Sequence, residues 1–375
     1  MTLPIDSVIT IEEAPVEVIR SVSPSKYLAA KRCPLSFIAS KSNIWQFNPA
    51  TAAAIVGTVI HRLIEWSGKS NDNEITSGQA EAKFNELLAV AEAKLAAHPV
   101  NRRLVPLSVT DPRFPEKRHS AIKASVRVPK QKRSYKSNYS SGKTLFMYEE
   151  GLRSKDGLVY GEIDKIVDGP HGLTIYDKKT CHVFDDEGYV KDEYRMQLLL
   201  YAGLVYEDMG KVADRVVLVY RDDRETDIRF EFQEVLDAMT VASRWLTALN
   251  KKIQLTPSVG QLLYLAQPSQ DTCRFCPARV ACPAYWNARQ ELNEQWPDDV
   301  EFVVDSYLRL GNGGMLVKSR PLSLGRTIRV FPEFIEYQPA LGLIEAGSRI
   351  RVTDVKTTGL QRTLTKRSVV YIIKS

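Results

Sequence analysis

The sequence predicts an α/β fold: a mixed central sheet flanked by helices, followed by a small β-barrel. Three observations predict it. Apolar residues recur at helical spacing on both sides of a central run of strands. That run holds three consecutive strand-like segments, TLFMYEEGL, GLVYGEIDKIVDG and GLTIYDKKT, separated by Gly, Asp and Pro punctuation. Beyond Trp296-Pro297 only short strand-like segments remain.

Residues 1–22 read as an extended lead-in. Ser23-Pro24 then offers an N-cap and a proline at the first helical position, and the helix carries Tyr27, Leu28 and Cys33. Helices are expected over 50–66 and 78–97, and a basic stretch follows to about Gly142. After the three strands come a helix over 190–208, strands over 216–221 and 228–233, a helix over 234–253, a cysteine-rich segment and a helix near 283–294. The tail segments DVEFVVD, GGMLVKS, TIRVFPEF, SRIRVTDVK and SVVYIIKS suggest an OB-like barrel. The expected division is therefore a lead-in over 1–22, an α/β domain over 23–296 and a β domain over 297–375.

The chain of 375 residues can bury a sizeable core, and its 44% hydrophobic and 26% charged content is ordinary for a soluble protein. No apolar run reaches membrane-spanning length and the N-terminus does not read as a secretory signal, so a cytoplasmic protein without a membrane partner is expected. The net charge of +6 is modest, but its distribution is uneven. Between Pro112 and Lys143 lie ten Lys or Arg and one acid, Glu116. Lys130, Lys132, Arg133, Tyr135 and Lys136 form its densest part, where cations can neutralise phosphates and the ring can stack on bases. A solvated loop is the plainer alternative. The tail carries twelve Lys or Arg against eight Asp or Glu, which favours nucleic acid only weakly over a structural or protein-docking role.

The chemistry-bearing motif is Gly161-Glu162-Ile163-Asp164 followed by Asp177-Lys178-Lys179-Thr180. Asp164 and Asp177 fall near the ends of consecutive strands, about 5 Å apart, so both carboxylates can meet one cation. Asp177 and Lys179 share a strand face. Glu150 ends the preceding strand and is a third candidate acid, with Glu149 its close competitor. Carboxylate oxygens suit Mg2+, which assists phosphodiester hydrolysis, and a lysine offsets charge developing on the phosphate. Taken alone, an Asp–Lys pair is more often a surface salt bridge. His61, in Gly57-Thr58-Val59-Ile60-His61, adds a nitrogen donor, although a lone histidine is more often a core or capping residue. Gln197 and Tyr201 lie one helical turn apart and can hydrogen-bond substrate or hold Lys179; a packed core tyrosine is the alternative.

Cys273, Cys276 and Cys282 give C-x2-C-x5-C, and Cys33 is the nearest candidate for a fourth ligand. Five cysteines in a chain without a secretion signal argue against a disulfide framework. Four thiolates bind zinc or an iron–sulfur cluster, and the local spacing does not choose between them. Cys181, next to the lysine motif, reads as a spare small residue. Ser67-Gly68-Lys69-Ser70 imitates a phosphate-binding loop, but the upstream glycine and strand are missing.

The ordered set GTVIH, GEID, DKKT and QLLLY, from about Pro24 to Tyr285, resembles the RecB-type branch of the PD-(D/E)XK nucleases. The resemblance implies a restriction-endonuclease-like core. It implies that His61, Asp164 and Asp177 bind Mg2+ or Mn2+, that Glu150 is an additional acid, that Lys179 is the catalytic lysine, and that Gln197 and Tyr201 form the family's Gln-x-x-x-Tyr pair. The distant Cys33 with its C-terminal trio is similar to the iron–sulfur nucleases of the AddB and CRISPR-adaptation types, which implies a [4Fe–4S] cluster on Cys33, Cys273, Cys276 and Cys282. The expected function is a metal-dependent DNA nuclease acting at ends or on single strands in repair, CRISPR adaptation or phage defence, with a helicase or another repair or defence protein as partner. A non-cleaving DNA-binding scaffold and a zinc-dependent interaction protein are the competing readings.

Overall fold

The computed structural model describes residues 8–9, 15–41, 51–69, 75–97, 101–127, 144–179, 182–220, 224–274, 276, 278–291, 298–319, 327–335, 337–359, 361–365 and 367–373. It is an α/β protein with two mixed sheets, one of five strands and one of eight, the second curled into a half-barrel in the C-terminal region. The chain forms two compact units: residues 12–43 with 132–272, and residues 1–11 with 44–131 and 273–375.

The five-stranded unit opens with an extended segment. Val22 bridges Val159, and its buried Val16, Ile19 and Val22 explain why this lead-in is ordered. Helices α1 (Pro24–Arg32) and α2 (Pro34–Ala39) each begin at proline, and Cys33 ends one and starts the next. The sheet order is β2 (Leu145–Arg153), β3 (Tyr160–Gly169), β4 (Gly172–Lys179), β5 (Arg215–Tyr220) and β6 (Arg224–Asp227). The pair β4–β5 is parallel and the others antiparallel. Between β4 and β5 runs α7 (Asp192–Met209), buried continuously from Gln197 to Val205 and stopped by Gly210 at φ 68°. Helix α8 (Phe232–Leu255) closes the unit.

Two glycines mark close approaches in this unit. A Cβ at Gly161 would lie 2.7 Å from the Tyr201 ring and 2.9 Å from Pro24, and one at Gly203 would lie 2.3 Å from Met239. The first lets α7 and α1 settle onto β3; the second lets α7 and α8 meet. Asn250 of α8 ties down the lead-in: its Oδ1 accepts from the Ile19 N–H and its Nδ2 donates to the Ile19 carbonyl, both at 2.9 Å in buried surroundings. Asn250→Ala strands both backbone groups and is expected to destabilise the protein by about 2–4 kcal/mol, read by urea denaturation.

The eight-stranded unit holds a helical cluster formed by α3 (Ala52–Lys69), α4 (Ser77–Ala96), α5 (Leu107–Thr110) and α6 (Phe114–Arg127). Val56, Val59, Leu63, Phe84, Phe114 and Ile122 form its core. The first half of the basic stretch is thus a packed helix rather than a loop. Phe114, Ala121 and Ile122 recur on one face and are buried, and the intervening Lys and Arg obscure that spacing. Lys130, Lys132, Arg133, Tyr135 and Lys136 lie outside the described residues.

The remaining elements are β1 (Val8–Ile9), α9 (Gln270–Arg274), α10 (Pro283–Glu291), β7 (Val300–Arg309), β8 (Met315–Ser319), β9 (Thr327–Val330), α11 (Pro332–Ile335), β10 (Arg349–Thr353), β11 (Lys356–Thr358), β12 (Gln361–Thr363) and β13 (Val369–Ile373). Their sheet order is β1-β13-β10-β7-β8-β9-β12-β11, so the N-terminal strand joins the C-terminal sheet, parallel to β13. Two expected strands differ. The strand placed over 228–233 lies at 224–227, because the Glu231 N–H donates to the Glu234 carboxylate at 2.8 Å and starts α8 at Phe232. The segment after Phe331 is helical, because Pro332 suits a helix start. No helix among the described residues is long and apolar enough to cross a membrane.

Candidate active site

In the β3–β4 ladder Lys165 stands opposite Tyr176, so Asp164 and Asp177 are the next facing positions. There the pair is held by a side chain: the Lys178 N–H donates to Asp164 Oδ2 at 2.6 Å. Asp164 is half-buried and Asp177 is 2% exposed. Lys179, two residues along the same strand, brings its ammonium 2.8 Å from Asp177 Oδ2. Beyond this ion pair Oδ2 has no hydrogen-bond partner among the described residues. Asp177 Oδ1 accepts from Gln197 Nε2 at 3.0 Å, and the same amide donates to the Tyr201 hydroxyl at 3.1 Å. The buried stretch of α7 thus locks one carboxylate oxygen and leaves the other to Lys179.

Burial pushes the Asp177 carboxyl up to about 6; Lys179 opposes this and Asp164 adds to it. Burial and then Asp177 also raise Tyr201, which keeps it a neutral hydroxyl. Between pH 3.8 and about 6 the folded protein keeps a proton that the unfolded chain loses. Asp177's contribution to stability therefore falls as pH rises through that window and is flat above it. A divalent cation reverses the preference by favouring the carboxylate. Mn2+ affinity is expected to rise with pH until about 6 and then level off. Calorimetry in buffers of different ionisation enthalpy should show close to one proton released per Mn2+ at pH 5 and almost none at pH 8.

The other expected site residues are placed as follows. Glu150 stands opposite Ile163 in the β2–β3 ladder, one residue out of register with Asp164. Glu150→Ala is expected to slow cleavage less than Asp177→Ala, as single-turnover rates would show. His61 is on α3, solvent-exposed, in the eight-stranded unit, whereas the two aspartates and Lys179 are in the other. Tyr194 was not legible as a site residue: its ring lies 5.7 Å from the Lys179 ammonium, one helical turn before Gln197. The signal was available as Tyr-x-x-Gln-x-x-x-Tyr, a single helix face.

Cys33, Cys273, Cys276 and Cys282 are all buried, Cys33 in the five-stranded unit and the trio in the other. Around the trio the chain turns tightly: the Cys276 N–H donates to the Cys273 carbonyl and the Cys282 N–H to that of Ala278. Cys181 lies outside the described residues. Among the described residues no group of three or more His, Cys, Asp or Glu side chains is gathered closely enough to hold a metal ion.

Two acids on adjacent strands, with a lysine two residues beyond the second and a glutamine–tyrosine helix behind, form a carboxylate–lysine cluster. The model of the PD-(D/E)XK nuclease superfamily matches residues 21–283, and the chain belongs to that superfamily. Its members are metal-dependent, phosphodiester-cleaving enzymes that use Mg2+ or Mn2+. No curated protein matches the chain. A solved structure described as "Structure of murine DNA binding protein bound with ds DNA" matches at 11% identity and a TM-score of 0.18, covering 62% of this chain and 95% of that one, and carries no argument.

Proposed function

We propose that the protein is a divalent-metal-dependent deoxyribonuclease that processes DNA ends or single strands. The observation that carries this reading is the buried Asp177, whose Oδ2 faces Lys179 while Oδ1 is fixed by Gln197. Asp164 and Asp177 would hold Mg2+ or Mn2+: a second carboxylate that raises the proton affinity of the buried Asp177 suits a hard cation. The cation supplies Lewis-acid polarisation of the phosphoryl group. Lys179 keeps Asp177 ionised near neutral pH and places a positive charge where the phosphate gains negative charge. Gln197 and Tyr201 hold Asp177 in orientation as positioning residues.

The finer reading is a RecB-like nuclease bearing a [4Fe–4S] cluster on Cys33, Cys273, Cys276 and Cys282, serving repair, CRISPR adaptation or phage defence with a helicase partner. Burial of all four cysteines and their spacing support it. Iron and sulfide analysis of anaerobically purified, brown protein tests it; zinc in place of iron would sink the cluster.

The decisive test of the nuclease is incubation of that protein with end-labelled single- and double-stranded DNA in Mg2+, Mn2+ or EDTA. Cleavage with metal and none in EDTA is expected. No cleavage by a folded protein that binds Mn2+ would favour the scaffold reading.

A further inference from the structure

The half-barrel sheet has a face that its core does not use. Met315 and Val317 of β8 and Ile328 and Val330 of β9 belong to the hydrophobic core. Side chains alternate along a strand, so Leu316, Lys318, Thr327 and Arg329 point the other way. The register carries this face onward: Thr363 of β12 lies beside Arg329, and Lys356 of β11 beside Thr363. At the other side Ser306 and Leu308 of β7 lie beside Lys318 and Leu316, and Leu308 is 56% exposed.

The charge on this face is one-sided. Strands β8, β9, β11 and β12 contain no acidic residue, yet on this face they carry Lys318, Arg329 and Lys356. Lys318 and Lys356 are exposed, and neither pairs with a carboxylate among the described residues. Of the two β7 acids, Glu301 is engaged by Arg349 and Arg351, and Asp305, at the bulge, is also engaged. The Arg329 guanidinium lies 5.0 Å from the centre of the Phe331 ring, giving the face a planar cation–aromatic pair. From β8 to β11 the cations cross three strand spacings, about 14 Å.

We propose that this β7-β8-β9-β12-β11 face binds the backbone of a single-stranded nucleic acid, with Lys318, Arg329 and Lys356 neutralising phosphates and the threonine hydroxyls donating to them. A sheet face five strands wide does not enter a duplex groove, which admits a helix or a two-stranded ribbon. A single strand can lie across it, with a base stacked against the Arg329–Phe331 pair. The proposal extends the nuclease reading by giving the substrate strand a second hold, but binding tests it without cleavage.

The full-length protein, without divalent metal, is titrated into labelled oligothymidylate over a salt series. The variant Lys318→Ala/Arg329→Ala/Lys356→Ala is compared with wild type, and melting confirms its fold. Affinity is expected to fall about tenfold or more, and the slope of log K against log salt to shrink by about 2, roughly 0.7 per lost phosphate contact. Lys318→Arg/Lys356→Arg should bind as wild type does. If the triple variant misfolds, Lys318→Glu/Lys356→Glu, at exposed positions, makes the same test. Unchanged affinity and slope in the folded variant overturn the proposal; so does a loss confined to duplex DNA. A protein that shows the binding loss but cuts nothing would reject the nuclease reading and leave this face assigned.

Discussion

Lys179→Ala is expected to lower the single-turnover rate of DNA cleavage by about 10²–10⁴-fold while leaving the melting temperature little changed. Two effects combine. The ammonium that lies 2.8 Å from Asp177 Oδ2 is lost, and with it the charge available to the phosphate in the transition state. Asp177 also loses the group that opposes its burial, so its carboxyl rises further above about 6 and metal binding weakens near neutral pH. Raising the pH or the Mn2+ concentration should restore the second component and leave the first. Stability is spared because Asp177 can take up a proton where it would otherwise be an unpaired buried charge. A variant that cuts at the wild-type rate would remove Lys179 from the chemistry.

Asp299→Ala is expected to destabilise the eight-stranded unit by about 3–5 kcal/mol in urea or thermal denaturation. Asp299 is 1% exposed, with Arg279 Nε 2.9 Å from its Oδ2. It also accepts from the Tyr285 hydroxyl at 2.8 Å and from the Asp354 N–H at 2.9 Å. Burial works against the Arg279 charge, but Asp299 and then Asp354 hold its pKa above the ordinary value. Removing the carboxylate takes the nearest counter-charge from a buried guanidinium, which keeps Asp354 at 3.4 Å, and the acceptor from a hydroxyl and an amide. The Asp354 amide belongs to a residue at φ 51°, a left-handed conformation that a non-glycine residue keeps only when its surroundings enforce it. Asp299→Asn keeps an acceptor but not the charge, so it should fall between wild type and alanine. A loss below about 1 kcal/mol for Asp299→Ala would show that water takes over the carboxylate's role.

The strands around the site were legible because TLFMYEEGL, GEIDKIVDG and GLTIYDKK alternate and are bounded by turn residues. Asp164, Asp177 and Lys179 followed from that alternation. The partner of Glu150 did not, since only the folded ladder fixes the pairing register, which sets Ile163 rather than Asp164 opposite it. Helix α6 was hidden by the cations between its buried residues, and the β11–β12 hairpin by strands of three residues each. Buried polar ties such as Asn250 to Ile19 and Arg279 to Asp299 link residues far apart in sequence and leave no local pattern.

The interleaving of the two units orders events on the ribosome. The five-stranded unit has all its residues once position 272 has been made, and the helical cluster of α3, α4 and α6 is local to residues 52–127. The eight-stranded sheet must wait for β13, whose partner β1 lies far upstream in the chain. At about 5–20 residues per second the roughly 360 residues between β1 and β13 take about 20–70 s. Throughout that interval β1 has no strand to pair with, so its backbone groups stay open to other partners, chaperones among them.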